Sequence, residues 1–153
     1  MKKTLIILVA LVMGGVASAQ IQDLGIRGAF GSGTGYEVSA MWGMGGNRLE
    51  TDLGWTSDPH DNWGYINLSG IYQWTGEISG PFGWYAGLGA NLGLYTGNNA
   101  NYNGFGLGLA LQAGLEFNFP FPLQLTLDVR PNYGLIGHSG FGWGAALGVR
   151  YRF

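Results

Sequence analysis

The chain is 153 residues long, with seven Lys plus Arg against nine Asp plus Glu, a formal net charge of −2, thirty glycines and no cysteine. Charged residues make up only 10% of it, and because a soluble domain carries ~25–35% charge on its surface, an exterior facing water would be poorly solvated. The absence of cysteine excludes a small disulfide scaffold, the lack of a basic patch argues against nucleic acid as a partner, and glycine without a triplet period excludes collagen.

Met1, Lys2 and Lys3 supply a positive start, followed by the apolar stretch Thr4 to Val12 and the small-residue site Ala17-Ser18-Ala19. This pattern predicts a cleaved secretory signal peptide over residues 1–19 and a mature domain over residues 20–153. The apolar stretch is too short to span a bilayer, and no stop-transfer charges follow it. No cysteine follows the site either, which excludes a lipid-modified N-terminus. Cleavage removes Lys2 and Lys3, the only lysines, and leaves five arginines against nine acids, a formal net of −4.

From Asp23 onward, side chains alternate with a period of two, which marks strands with two unlike faces. The first strand is predicted over about Asp23 to Phe30, with Leu24, Ile26 and Phe30 opposed to Asp23, Gly25, Arg27 and Ala29. After the glycine turn 31–35, the second, Tyr36 to Met44, opposes Val38, Ala40 and Trp42 to Glu37, Ser39 and Met41. Gly45-Gly46-Asn47 is a tight reversal that tolerates positive φ. The third, Arg48 to Thr56, opposes Leu49, Leu53 and Trp55 to Arg48, Glu50 and Asp52.

Ser57 to Asn62 reads as a loop. The fourth strand is Trp63 to Thr75, residues 76–81 turn the chain, and the fifth is Phe82 to Tyr95. Thr96 to Tyr102 is an Asn- and Gly-rich loop. The sixth, Gly104 to Phe119, is the longest, and Pro120-Phe121-Pro122 ends it. The seventh sets Leu123, Leu125, Leu127 and Val129 against Gln124, Thr126, Asp128 and Arg130; Gly134 to Gly140 reads as a loop. The eighth alternates Phe141, Trp143, Ala145, Leu147, Val149, Tyr151 and Phe153 with Gly142, Gly144, Ala146, Gly148, Arg150 and Arg152.

Eight strands of the length that a tilted membrane strand needs predict an all-β, antiparallel, up-and-down transmembrane β-barrel. In lipid no sheet edge can stay open, so the first and eighth strands must pair. With both termini inside, the shortest connections fall on the periplasmic side. An eight-stranded interior is just wide enough to be filled by side chains, so the bulky rows must face out and the glycine-rich rows in. All five arginines of the mature part, Arg27, Arg48, Arg130, Arg150 and Arg152, have lumen parity, as do Glu37, Glu50, Asp52, Glu116 and Asp128. Asp58, Asp61 and Glu77 fall in connections. The ten are expected to form a paired structural network that plugs the lumen. Trp42, Trp55, Trp74, Trp84, Trp143, Tyr36, Tyr72 and Tyr151, at strand ends with lipid parity, are expected to form two interfacial girdles.

The chain resembles the small eight-stranded outer-membrane barrels, the OmpX-like and OmpA transmembrane-domain-like group. The resemblance rests on the ending Leu147-Gly148-Val149-Arg150-Tyr151-Arg152-Phe153, on Phe119-Pro120-Phe121-Pro122-Leu123, and on Leu127-Asp128-Val129-Arg130-Pro131. It implies a resident of the bacterial outer membrane in contact with lipid and lipopolysaccharide. It also implies a C-terminal signal, Val149, Tyr151 and Phe153, read by the barrel-assembly machinery. The short connections differ from the long loops of adhesive members.

Two other functions are compatible with such a barrel, a narrow porin-like conductor and a lipid-modifying hydrolase. Eight strands leave no open channel. Hydrolysis would need a Ser nucleophile, a His base and an orienting acid. His138 and Ser139 are adjacent in an outward loop and so point to opposite sides, while His60, Asp58 and Asp61 match no metal-ligand spacing. The expectation is therefore a monomeric, non-enzymatic barrel without cofactor, catalytic residue or metal.

Overall fold

The computed structural model describes residues 20–31, 35–58, 60, 63–97, 104–137 and 140–153. Eight strands follow in chain order: β1 Ile21–Gly31, β2 Gly35–Met44, β3 Asn47–Asp58, β4 Trp63–Ser79, β5 Phe82–Gly97, β6 Gly104–Asn118, β7 Leu123–Ile136 and β8 Gly140–Arg152. Each pairs antiparallel with its sequence neighbour, and β1 pairs with β8, so the sheet closes into a barrel without edges. The predicted signal segment 1–19 lies outside the described residues.

At one end of the barrel lie the chain termini and the tight turns. Met44 pairs with Asn47 across Gly45 and Gly46, whose φ values of 71° and 96° are those of a two-residue hairpin turn. Gly80, with a φ of 55°, and Pro81, whose ring holds φ negative, close the β4–β5 hairpin in a two-residue turn of another type. The opposite end carries the loops.

Several strands run further than the alternation alone suggests. β7 continues through Pro131 to Ile136, and Gly134 pairs with Gly140 of β8 rather than opening a loop. Pro131 is in register with Trp143 of β8, while the register with β6 is kept at Asn132 and Val129 and skips the proline. The missing N–H therefore falls on one side only. β3 reaches Asp58, so the predicted Ser57–Asn62 loop starts later. β4 extends to Ser79 and pairs Glu77 with Gly83, which puts that acid in a strand instead of a connection. A long hairpin partner supplies ladder bonds that override the polar, glycine-containing local sequence.

Register fixes the tilt. Leu24 pairs with Ala40, Ala40 with Thr51, Thr51 with Gly70, Gly70 with Ala90, Ala90 with Leu109, Leu109 with Tyr133 and Tyr133 with Phe141. Yet the β8 residue that pairs with Leu24 is Tyr151, far along the strand from Phe141. A circuit that fails to return to its starting level is the shear of a barrel whose strands tilt strongly against its axis.

The two faces are sorted as the alternation demands. Arg150, Glu50 and Asp52 are 0% exposed and Arg27 is 2% exposed, whereas Leu127 is 57% and Phe141 72% exposed. Met41, Ile71 and Tyr85 are fully buried large side chains that share the interior with these charges. Tyr36, Trp55 and Trp143 ring the outside at the loop end, and Trp74, Trp84 and Tyr151 at the turn end. Two polar pairs lie on the outer face: Trp42 Nε1 donates to Thr51 Oγ1 at 2.9 Å, and Asn47 Nδ2 to the Tyr72 hydroxyl at 2.9 Å.

Candidate functional site

The lumen holds the polar chemistry of this chain, in two connected layers. In the upper layer, toward the loops, Arg27 donates from Nη1 to Glu37 Oε2 at 2.6 Å and to Asp52 Oδ2 at 3.2 Å. Its Nη2 reaches both oxygens of Asp128, at 2.7 and 2.8 Å. Arg130 lies 2.8 Å from Asp52 Oδ2 and 3.3 Å from Glu50 Oε1. Arg150 donates to Glu50 Oε1 at 2.8 Å. β1, β7 and β8 thus supply the arginines, and β2, β3 and β7 the carboxylates.

Nearer the turns, Arg48 Nη2 donates to Glu116 Oε2 at 2.7 Å and its Nε to Gln73 Oε1 at 2.6 Å, with its guanidinium 5.1 Å from the centre of the Tyr85 ring. Gln73 Nε2 donates to Glu50 and, at 2.6 Å, to Gln112 Oε1. The Tyr85 hydroxyl donates to Asp128 Oδ2 at 2.9 Å. These amide and phenol contacts join the two layers. Buried charges removed from water persist only with such partners.

Of the ten residues singled out from sequence, nine stand in these bridges: Arg27, Glu37, Arg48, Glu50, Asp52, Glu116, Asp128, Arg130 and Arg150. Arg152 does not. It is exposed at the end of β8, in register with Asp23, and it takes no part in these ion pairs. Asp23 itself is buried, at 6% exposure, and belongs to the interior. Sequence reasoning left out Gln73, Gln112, Gln124, Ser39, Ser69 and Tyr85, all buried. Their parity was the available signal: all six stand on the lumen row of their strand's alternation, Ser69 and Gln73 with Tyr65 and Asn67 of β4.

Above the upper layer, at the loop end, the lumen opens into a cavity of about 260 Å³ floored by Arg27, Glu37, Asp128 and Arg130. A second space of about 280 Å³ adjoins it along β5 to β8. Tyr65, Asn91, Tyr95 and Asn132 border both. The space exists because β5, β6 and β8 present Gly93, Gly106, Gly108 and Gly142 where the turn end presents large side chains.

On the outside, Val149, Tyr151 and Phe153 form one exposed row, with the Tyr151 and Phe153 rings edge-to-face at 5.3 Å. His138, Ser139 and Asp61 lie outside the described residues. Among the described residues no group of three or more His, Asp or Glu is placed to hold a metal ion.

Comparison with solved structures matches this architecture. The crystal structure of Neisserial surface protein A is 18% identical, with a TM-score of 0.62 over 88% of this chain and 96% of that one. The N-terminal β-barrel domain of Pseudomonas aeruginosa OprF is 22% identical, with a TM-score of 0.62 over 88% of this chain and all of that one, 100%. The fold is that of a transmembrane β-barrel. A transmembrane β-barrel designed de novo shares it at 14% identity and a TM-score of 0.51, over 87% of this chain and 95% of the design. No protein-family model matches the chain, and no curated protein sequence does either.

Proposed function

We propose that this protein is a monomeric, non-enzymatic resident of a bacterial outer membrane, and that its work is to occupy and stabilise the bilayer. The observation that carries this reading is the sorting of faces: Leu, Phe and Trp rows cover the exterior while four arginines and five acids are sealed within. Only a hydrocarbon solvent makes that arrangement favourable. The mature protein begins at Gln20 after removal of residues 1–19. Its outer face contacts lipid and lipopolysaccharide, and Val149, Tyr151 and Phe153 are the signal that the assembly machinery reads.

The ion-pair network plugs the lumen. Each of the five acids holds an arginine, which supports a packed core over a catalytic or conducting role. The chain has no cysteine, so single cysteines report sidedness cleanly. In vesicles, a water-soluble maleimide is expected to label a cysteine at Ser57, an exposed loop-end position, and to leave Leu109→Cys and Leu111→Cys unmodified. Equal labelling of all three would end the membrane reading. Planar-bilayer recordings of the intact barrel should show no conductance steps, and outer-membrane acyl chains should be unchanged by mass spectrometry when the protein is expressed.

A further inference from the structure

We propose that the cup at the loop end of the lumen, bordered by Tyr65, Tyr95, Asn91 and Asn132, binds an uncharged sugar ring. A Cβ at Gly93 would lie 2.7 Å from the Tyr65 ring, and one at Gly106 would lie 3.5 Å from the Tyr95 ring. Both phenols therefore lie against bare backbone of the neighbouring strand. The two ring centroids are 4.5 Å apart and the planes 31° from parallel, so the phenols stack, offset, as one aromatic pair, and both border the cup. Tyr65 is held in place by its hydroxyl, which donates to Asn67 Oδ1 at 3.2 Å. Asn91 leans over Gly108 in the same way, so its amide borders the same cup.

Three ligand classes can be weighed against this lining. A charged ligand would need an unpaired counter-charge, yet the charged residues of the floor are engaged with one another, Arg27 with Glu37 at 2.6 Å and Arg130 with Asp52 at 2.8 Å. The adjoining space has no charged residue in its lining at all. An apolar ligand would strip water from the Asn91 and Asn132 amides and return no hydrogen bond, which is costly. A sugar ring satisfies both features. Its C–H groups lie against the aromatic pair, and its hydroxyls give and take hydrogen bonds with amides, each of which offers two donors and an acceptor. Two adjoining spaces of about 260 and 280 Å³ suit a mono- or disaccharide.

The test uses the full barrel refolded in dodecylphosphocholine, a detergent without a sugar headgroup, with saturation-transfer NMR to glucose, galactose, N-acetylglucosamine and maltose. At least one of them should receive saturation from tyrosine protons on its C–H face. Affinity should fall about tenfold in Tyr95→Ala, the size expected for one aromatic contact, and fall also in Asn132→Ala. Tyr133→Ala, on the outer wall, should leave it unchanged, and the heat-shifted gel mobility of each variant confirms that it is folded. Methyl glycosides separate the sources: binding that survives methylation fits the end of a glycolipid, and binding that is lost fits a free sugar. No transfer to any of the four sugars overturns the proposal. So does binding that favours glucuronate, or binding that a folded Tyr95→Ala retains in full.

Discussion

Three arginines converge on Glu50: Arg150 at 2.8 Å, Arg130 at 3.3 Å and Arg27 at 3.5 Å. Among the described residues the upper layer sets Arg27, Arg130 and Arg150 against Glu37, Glu50, Asp52 and Asp128, so carboxylates outnumber guanidiniums. That imbalance orders the mutational costs. Arg27→Gln leaves Glu37 and Asp128 buried without a cation at hydrogen-bonding distance, and is expected to cost ~3–5 kcal/mol, as for other broken buried pairs. Asp52→Asn takes away a charge of the type in excess, and its two arginines, Arg27 and Arg130, keep Glu37, Asp128 and Glu50 as partners, so its cost should be smaller. Arg152→Gln, at an exposed strand end, should stay within about 0.5 kcal/mol. Urea titration of the barrel in lipid vesicles ranks the three. The residue types were legible in the sequence because every charge of the network shares lumen parity. Which arginine meets which acid was not, since Arg27 and Asp128 are neighbours only through the closed sheet.

At the scale of the strand, glycine has two different jobs that a sequence does not distinguish. Gly70 faces lipid, and a Cβ there would touch nothing within 4 Å. Gly89 is its neighbour across the β4–β5 ladder, one residue out of register, and a Cβ there would land on the Gly70 carbonyl and lie 2.7 Å from the Ile71 Cα. Gly89→Ala should therefore lower the unfolding midpoint or prevent refolding, while Gly70→Ala should be tolerated; gel mobility of boiled and unboiled samples distinguishes them. The turn glycines obey another rule. Gly45 and Gly46 have open space around them but φ values of 71° and 96°, so Gly46→Val should slow hairpin formation through backbone strain of ~1–2 kcal/mol. Strand identity was readable throughout from period two. Strand length was less so: in β7, Pro131 and Gly134 look like a boundary, and only pairing with Trp143 and Gly140 carries the strand past them.

For the whole molecule, the decisive property is which solvent touches which face. Leu111 is 53% exposed on the outer wall of the longest predicted strand. Arginine there would face the hydrocarbon, and Leu111→Arg is expected to destabilise the membrane-inserted barrel by ~2–4 kcal/mol. The same substitution in a soluble barrel of this size would be almost neutral, so the measurement also discriminates between the two solvents. Closure, sidedness and strand number were all present in the alternation of residues. The tilt was not, because shear accumulates from registers that no single strand encodes. Nor was the loop-end cup, which needs glycines of β5, β6 and β8 to fall at one level.

The seam between β1 and β8 has a consequence for biogenesis. Asp23 pairs with Arg152, and the backbone N–H of Phe153 donates to the Gln22 carbonyl at 2.8 Å, so the outermost rung of this joint is made by Phe153. Until β8 is in place, one edge of β1 stays unpaired, and that open rim cannot enter oil. Such a polypeptide must be kept unfurled until β8 has joined β1, and a variant truncated within β8 should remain a substrate for periplasmic proteolysis.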